Sequence, residues 1–448
     1  MSVYDEINQI NNLKIVVLEL CKRISILENN ILKPDDYSMA VDTNDDFHPI
    51  RIQSRRKLNT NIYNSTNNSD ASVIVSGENC VINGPSTNLS SIISGKENTI
   101  TKSDNSNIIG GTRNTIDSGV HNIIGGGIGN NIDTSSEYSE ILNGTGNTIE
   151  TGEYSLIASG ESNNIQNSTN SVITGGESNN IQNSTNSVIT GGVNNNINNN
   201  SINTVISNGY NNLIDGSSNN SFIGTGNHNI INNNSTHSII SCGYKNSITL
   251  TQYGFIGGGD SNIINNKSNK STIVGGINND ISGTVLGFIG NGDSNKIYES
   301  SNKSCIVNGR QNNINNSIYS FIGGGNSNTI NNISNKSTIV GGQYNDISGT
   351  LLGFIGNGNS NKIYGPSEKS CIINGNKNNI NDSFNSFIGS GGQNKIISSN
   401  NTFIGGGNSN TINNESNQST IVGGQYNDIS GTLLGFIGNG DSNKIYGP

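Results

Sequence analysis

Glycine-rich turns that contain Asp are the first candidates for chemistry in this chain. The stretches GGGDSN and NGDSN place Asp260, Asp293 and Asp441 in such turns, and calcium-binding nonapeptide repeats use similar ones. Calcium requires six or more oxygen ligands, most of them carboxylates or carbonyls. Asn326 and Asn359 stand where further Asp residues would be needed, and the period differs. We therefore predict no calcium site.

The cysteines and histidines show no catalytic or metal-binding spacing. There are five cysteines, an odd number, and no two of them have the CxxC spacing, so neither a disulfide framework nor a zinc site is indicated. Turns such as GGGIGN lack the Lys and the helix of a phosphate-binding loop. We predict no catalytic residue, no metal and no cofactor. The residues concerned are Cys21, Cys80, Cys242, Cys305, Cys371, His48, His121, His228 and His237.

The composition indicates a thin, repetitive core. Of 448 residues, 30% are hydrophobic and 12% charged, whereas a globular chain is about half apolar and a quarter charged. The net charge of −9 argues against a nucleic-acid partner. A basic cluster at 51–57 is interpreted as a solvated linker, with a binding patch as the alternative.

No apolar run reaches the roughly 18 residues that a membrane span needs. The N-terminal stretch MSVYDEINQINNLK lacks the charged start and apolar core of a signal peptide. We expect no membrane span. If the protein stands on an exterior surface, its route there is not readable from the sequence.

Residues 8–32 carry the apolar seam of a coiled coil. Apolar residues recur at alternating steps of three and four, which is the heptad pattern. We predict a coiled-coil oligomerisation helix over 1–33 and a linker or adaptor over 34–71. An amphipathic helix packed on a domain is the alternative. β-Branched residues at position a with Leu at d lean toward dimers. The seam consists of Ile10, Leu13, Val17, Leu20, Ile24, Leu27 and Ile31.

From about residue 72 to 448 the chain is one array of the motif I-x-x-G-x-x-N-x-I. The motif occurs twenty-two times, about 16 residues apart, after one worn copy that has Cys80 in the Asn position. This period suits two short strands and two turns. We predict an all-β fold, a parallel β-solenoid or β-roll of about 23 rungs, where one rung is one turn of the solenoid. At about 4.8 Å per rung it would be roughly 110 Å long.

The four motif residues have structural rather than catalytic roles in this prediction. The two isoleucines point inward, the Gly occupies a tight turn, and the Asn forms a ladder of stacked amides. Two copies illustrate the set: Ile273, Gly276, Asn279 and Ile281, and Ile339, Gly342, Asn345 and Ile347.

Eight of the ten phenylalanines stand directly before the first Ile of a motif. Strand alternation places this column on the outer face, where it would form a long apolar stripe. We predict that the stripe is an interface between copies of the chain, with a ligand-binding face as the alternative. Cys305 and Cys371 share the column, four rungs apart, too far for a disulfide. The column contains Phe222, Phe255, Phe288, Phe321, Phe354, Phe387, Phe403 and Phe436.

The pattern SFIGGGNSNTINNISNKSTIVGGQYNDI resembles the YadA-like, or Hep/Hag, head repeats of trimeric autotransporter adhesins. The resemblance covers about 72–448 and implies a β-roll that trimerises. The period is nearer 16 than 14 residues, with Asn where the family often has Ala or Ser. A short coiled coil comes first here, an order more similar to a virus or phage fibre.

The sequence thus predicts a non-enzymatic structural fibre or adhesin on a virion or cell surface. Its main partner would be itself, a trimer by the resemblance, and it could attach to a host-surface glycan or protein. One alternative is a self-assembling filament or surface-layer component. Another is a glycan-processing tailspike enzyme, although we expect no paired outward carboxylates on neighbouring rungs.

Overall fold

The structure, a computed structural model, describes residues 65–67, 72–84, 87–133 and 135–447. The predicted coiled coil, with Val17, Leu20, Ile24 and Leu27, lies outside the described residues, as does most of 34–71. Every regular element in the described part is a β-strand, and it has no helix that could cross a membrane. An all-β parallel β-solenoid of about 23 rungs is therefore confirmed for this part of the chain.

Each rung contributes to two parallel sheets, and each strand pairs with the equivalent strands before and after it. Ile339, for example, pairs in register with Ile322 and Ile355. Sheet 2 carries the strands that begin each motif, and sheet 1 carries the strands that end it. Stacking therefore satisfies the backbone groups of both sheets between rungs.

Sheet 1 contains 25 strands. They are β1 (Ser65–Asn67), β3 (Val81–Asn83), β5 (Thr99–Asp104), β7 (Thr115–Val120), β9 (Asn131–Asp133), β10 (Ser136–Glu137), β12 (Thr148–Glu150), β14 (Asn164–Gln166), β16 (Asn180–Gln182), β18 (Asn196–Ile197), β20 (Leu213–Ile214), β22 (Ile230–Asn232), β24 (Ser247–Thr249), β26 (Ile263–Asn265), β28 (Asp280–Ser282), β30 (Lys296–Tyr298), β32 (Asn313–Asn315), β34 (Thr329–Asn331), β36 (Asp346–Ser348), β38 (Lys362–Tyr364), β40 (Asn379–Asn381), β42 (Lys395–Ile397), β44 (Thr411–Asn413), β46 (Asp428–Ser430) and β48 (Lys444–Tyr446).

Sheet 2 contains 23 shorter strands. They are β2 (Val73–Ile74), β4 (Ser91–Ile92), β6 (Asn107–Ile108), β8 (Ile123–Ile124), β11 (Glu140–Ile141), β13 (Leu156–Ile157), β15 (Val172–Ile173), β17 (Val188–Ile189), β19 (Val205–Ile206), β21 (Phe222–Ile223), β23 (Ile239–Ile240), β25 (Phe255–Ile256), β27 (Thr272–Ile273), β29 (Phe288–Ile289), β31 (Cys305–Ile306), β33 (Phe321–Ile322), β35 (Thr338–Ile339), β37 (Phe354–Ile355), β39 (Cys371–Ile372), β41 (Phe387–Ile388), β43 (Phe403–Ile404), β45 (Thr420–Ile421) and β47 (Phe436–Ile437).

Two further pairings extend the array beyond the motif strands. A ladder of parallel bridges runs along the corner between sheet 2 and sheet 1, from Glu78 to Asp441. Strand β1 already pairs with β3 through Ser65 and Val81. Sheet 1 therefore begins inside the range 34–71, where the sequence suggested a linker.

The core consists of the motif isoleucines. They are fully buried in almost every rung, and only those at the ends, such as Ile437 at 6% exposure, are less so. Burying one such side chain stabilises the fold by roughly 2 kcal/mol. Two isoleucines cannot close a core alone, so each rung depends on its neighbours.

The corners require many residues with positive φ. In one rung the motif Gly342 has φ +86° and Tyr344 has φ +55°, and Lys336 has φ +58° at the preceding corner. Asn and Gly adopt this region at lower cost than other residues. Many of the non-Gly residues in it are Asn or Ser, which gives the unusual composition a physical reason.

Candidate functional surfaces

The motif Asn side chains form the buried ladder that the sequence predicts. The Nδ2 of Asn345 donates to the carbonyl of Gly341 in its own corner and to that of Gly358 in the next rung, both at 3.0 Å. Its Oδ1 accepts the backbone N–H of Asn361 at 3.0 Å. Asn279 and Asn345 are both fully buried. Both the donor nitrogen and the acceptor oxygen of the Asn345 side chain therefore have hydrogen-bond partners within the fold.

The motif Gly is required where the ladder meets the corner. Gly276 has φ +92° and Gly342 φ +86°, a region that costs other residues strain. A Cβ on Gly342 would overlap the carbonyl oxygen of Gly358 and lie 2.7 Å from the Nδ2 of Asn345. The isoleucines of the two illustrated copies, Ile273, Ile281, Ile339 and Ile347, are all fully buried.

Two further ladders, of Ser and Thr, were missed by the sequence reasoning. The Oγ of Ser337 donates to the carbonyl of Thr350 at 3.0 Å and accepts the N–H of Gly353 at 3.0 Å. The Oγ of Ser334 accepts the N–H of Thr350 at 3.2 Å. The signal was present as Ser or Thr pairs three residues apart, such as Ser334 and Ser337.

The outward face of sheet 2 carries the predicted phenylalanine column. Phe354 pairs with Thr338 and Cys371 of the adjacent rungs, so these side chains share one line along the sheet. Most of the phenylalanines are half-buried, and Phe288, Phe403 and Phe436 are exposed. We call the outward residues of sheet 2 from Val205 to Phe436 the apolar stripe.

The stripe has a second column, one residue beyond the inward Ile. In rungs with Phe this position is Gly, and the edge of the Phe354 ring lies over Gly356. In rungs with Thr or Cys it is Val or Ile, as in Val340, which is 49% exposed. Every rung of the second half therefore presents one large apolar side chain.

None of the cysteines in the described residues forms a disulfide. Cys305 and Cys371 lie on the stripe, and burial raises the pKa of Cys371 to about 11 and that of Cys305 in the same direction. Cys242 is exposed. Cys80 replaces a ladder Asn and is fully buried.

The histidines of the described residues contact aromatic rings of neighbouring rungs. His121 stacks on Tyr138 at 4.7 Å between centroids, and His237 on Tyr253 at 4.8 Å. His228 lies between Tyr210 and Tyr244. No three His, Cys, Asp or Glu side chains within this part of the chain come together as metal ligands.

The Asp residues of the glycine-rich turns lie in ordinary corners. Asp260 and Asp293 each accept the hydroxyl of the following Ser at 2.7 Å. Along the corner ladder Ile277 lies between them, and Arg310 pairs with Asp293 at 3.4 Å. An isoleucine and an arginine as neighbours are not calcium ligands.

The expectation of no paired outward carboxylates was wrong. Glu137 and Glu153 are directly bridged on neighbouring rungs, and Asp133 pairs with Glu150 in sheet 1. The first two line a shallow depression of about 450 Å³. The error arose because Glu137 and Glu153 meet at a corner bridge that the nine-residue motif does not contain, and because Asp133 and Glu150 each follow directly after its last Ile.

A larger depression, of about 730 Å³, lies on the outer face of sheet 1. Lys362, Lys377 and Lys395 line it together with Asp346 and Tyr344. Burial raises the pKa of the Asp346 carboxyl, and the attraction of Lys362 opposes this. The depression is open, polar and predominantly cationic.

Neither a protein-family model nor a curated protein sequence matches this chain.

Proposed function

We propose that this chain is a structural shaft. It is a non-enzymatic, parallel homo-oligomer that projects from a virion or cell surface and serves attachment. The observation that carries the proposal is the apolar stripe on sheet 2. A single copy would leave this surface in water along most of the second half of the array.

The area of the stripe fits a second copy of the chain. From Val205 to Phe436 it crosses fifteen rungs, or about 67 Å at the spacing of strands. With a width of about 10 Å this is roughly 700 Å² per copy, close to the ~800 Å² per partner of stable interfaces. Contiguous apolar patches of this size are interaction surfaces in soluble proteins.

The interior supports a structural role. Its buried polar groups are the Asn, Ser and Thr side chains of the ladders, and the ladder amides hold both their own corner and the next rung. The heptad seam of residues 10–31 supports a parallel base. The resemblance to trimeric adhesin heads favours three copies.

Attachment would use sheet 1, because the stripe occupies sheet 2. The three lysines of the larger depression suit an anionic group, and the neighbouring amides and hydroxyls suit sugar hydroxyls. We propose an acidic surface glycan as the ligand. Replacing Lys362, Lys377 and Lys395 by Ala should abolish binding to sulfated or sialylated glycans on an array and leave the solution mass unchanged.

The mass of the full chain in solution tests the shaft. A defined oligomer is expected, a stable monomer would overturn the proposal, and a mass that grows with concentration would indicate a self-assembling filament instead. The double substitution Phe288→Lys with Phe321→Lys puts positive charge on the stripe and should weaken the association of the copies. Ile263→Lys is the control, because Ile263 points outward on sheet 1 in register with Asp280, which pairs in turn with Lys296 of the following rung.

A glycan-processing tailspike remains a second candidate because of the bridged Glu137 and Glu153. Neighbouring carboxylates are the groups that glycosidases use. The test is cleavage of host-surface polysaccharides by the purified chain. If the chain cleaves a polysaccharide and either Glu137→Gln or Glu153→Gln abolishes the cleavage, the enzymatic function is established. If no cleavage occurs, the structural shaft is the better proposal.

A further inference from the structure

The apolar stripe alternates with a period of two rungs. The sequence Phe-Ile-Gly, with the Ile pointing inward, occurs in every second rung, beginning at Phe255, Phe288, Phe321, Phe354 and Phe387. The rungs between them carry Thr or Cys with a following Val or Ile. The pairing of strands in sheet 2 places these rungs next to each other without a gap.

A single rung, residues 387–402, interrupts this alternation. Phe387 and Phe403 belong to adjacent rungs and pair directly in sheet 2. Their rings stack with centroids 5.2 Å apart and 1° between planes. Beyond them the alternation resumes in the opposite phase, with Thr420 and Phe436. The stripe therefore has one phase reversal.

We propose that the rung 387–402 fixes the register in which copies of this chain associate. This inference rests on the proposed homo-oligomer with the stripe as its interface. Copies aligned in parallel at the same level match Phe rungs with Phe rungs along the whole stripe, including the reversal. The reversal then acts as a key that distinguishes this register from all others.

Without the key, other registers would be nearly equivalent. If the two-rung alternation were regular, one copy could shift by two or four rungs along another and still match Phe with Phe. Only the contacts of the overhanging end rungs would be lost. With the key, a slip of two rungs sets Cys371 opposite Phe403, and Phe387 opposite Thr420. Mismatched large and small side chains leave cavities or clashes, which interfaces tolerate poorly.

The chain contains its own reporters of register. Cys305 and Cys371 lie on the stripe four rungs apart, about 19 Å at the spacing of strands. Copies in register place Cys305 beside Cys305 and Cys371 beside Cys371. A slip of four rungs places Cys305 beside Cys371 of another copy. A bis-maleimide shorter than 19 Å joins only thiols at the same level.

The experiment uses the full chain with Cys21→Ser, Cys80→Asn and Cys242→Ser, so that only the two stripe thiols react. It is compared with a deletion of 387–402, which joins Ser386 to Phe403 and makes the alternation continuous. The control is a deletion of 161–176, whose sequence is identical to 177–192. That control also removes one rung but leaves the stripe and its key intact. Cross-linked peptides are identified by mass spectrometry after proteolysis.

We expect only 305–305 and 371–371 adducts in the intact chain and in the control deletion. In the 387–402 deletion we expect the 305–371 adduct to appear and the two in-register adducts to fall. A 305–371 adduct in the intact chain, or unchanged adducts in the 387–402 deletion, would overturn the register key. A chain that is monomeric in solution would instead overturn the proposed function, so the two failures are distinguishable.

Discussion

Asn345 and Asn361 are joined across one rung by the side-chain oxygen of the first, which accepts the backbone N–H of the second at 3.0 Å. The Nδ2 of Asn361 also reaches the same oxygen at 3.2 Å. The side chain of Asn345 is held in one orientation, because its Nδ2 donates to two corner carbonyls, those of Gly341 and Gly358. Asn345 therefore donates its backbone N–H to the side-chain oxygen of Asn328 in the preceding rung and accepts the N–H of Asn361 in the following rung, both at 3.0 Å.

Replacing Asn345 by Asp tests this double role. Asp keeps the shape and the acceptor but removes both donors, and it places a negative charge beside the carbonyls of Gly341 and Gly358. We expect a loss of about 2–4 kcal/mol, because buried polar groups lose their partners. Amide hydrogen exchange in the rungs around 328–361 should accelerate. The control is Asn385→Asp at an exposed corner; equal losses in both variants would contradict the ladder.

Gly342 and its neighbour Gly341 should respond very differently to substitution by Ala. A Cβ on Gly342 would overlap the carbonyl of Gly358, whereas a Cβ on Gly341 meets nothing closer than 3.9 Å. Only Gly342 has positive φ. We expect Gly342→Ala to cost more than about 3 kcal/mol and Gly341→Ala less than about 1 kcal/mol. Chemical denaturation of both variants measures this, and comparable midpoints would refute the assigned role.

The array was predictable from sequence because one nine-residue motif carries the strand alternation, the Gly corner and the ladder Asn together. The Ser and Thr ladders were not predicted, because Ser and Thr also fill exposed turns and Gly replaces them in rungs such as that of Gly353. The pair Glu137 and Glu153 was not predicted, because it depends on a corner bridge outside the motif. Predictions for the seam at Val17 and Leu20 lie outside the described residues and stay predictions.

Ile333 is a point of backbone strain that can be relieved. It has φ +62° and is 63% exposed, and a β-branched side chain is unfavourable in that region. Asn234 adopts φ +61° at the equivalent corner. We expect Ile333→Asn to stabilise the fold by about 1 kcal/mol. The control Ile128→Asn replaces an exposed isoleucine whose φ is negative, and a similar gain there would show that strain is not the cause.

The carboxyl of Asp346 should make stability depend on pH. Burial raises its pKa above the ordinary value, and Lys362 only partly opposes this. Between the ordinary and the raised pKa the folded chain binds more protons than the unfolded chain, so stability falls as pH rises through that window. Since the Asp346 side chain is only half-buried, solvent screens the effect to about a few tenths of a kcal/mol.

We therefore expect Asp346→Asn to raise the melting temperature at neutral pH and to change it little at about pH 3, where the carboxyl is protonated in both states. Asp441→Asn is the control for the loss of one negative charge, since Asn359 stands at the equivalent corner of another rung. A gain that persists unchanged in acid would exclude burial of the carboxylate as its cause.

The stripe thiols should react more slowly than the exposed one. Burial raises the pKa of Cys371 to about 11, so at pH 8 only about one thiol in a thousand is the reactive thiolate. We expect iodoacetamide to label Cys242 first at pH 8, and the rate at Cys371 to rise about tenfold per pH unit up to pH 10. In denaturant Cys371 and Cys242 should react alike. If folded Cys371 reacted as fast as Cys242 at pH 8, its thiol would not be buried in the stripe.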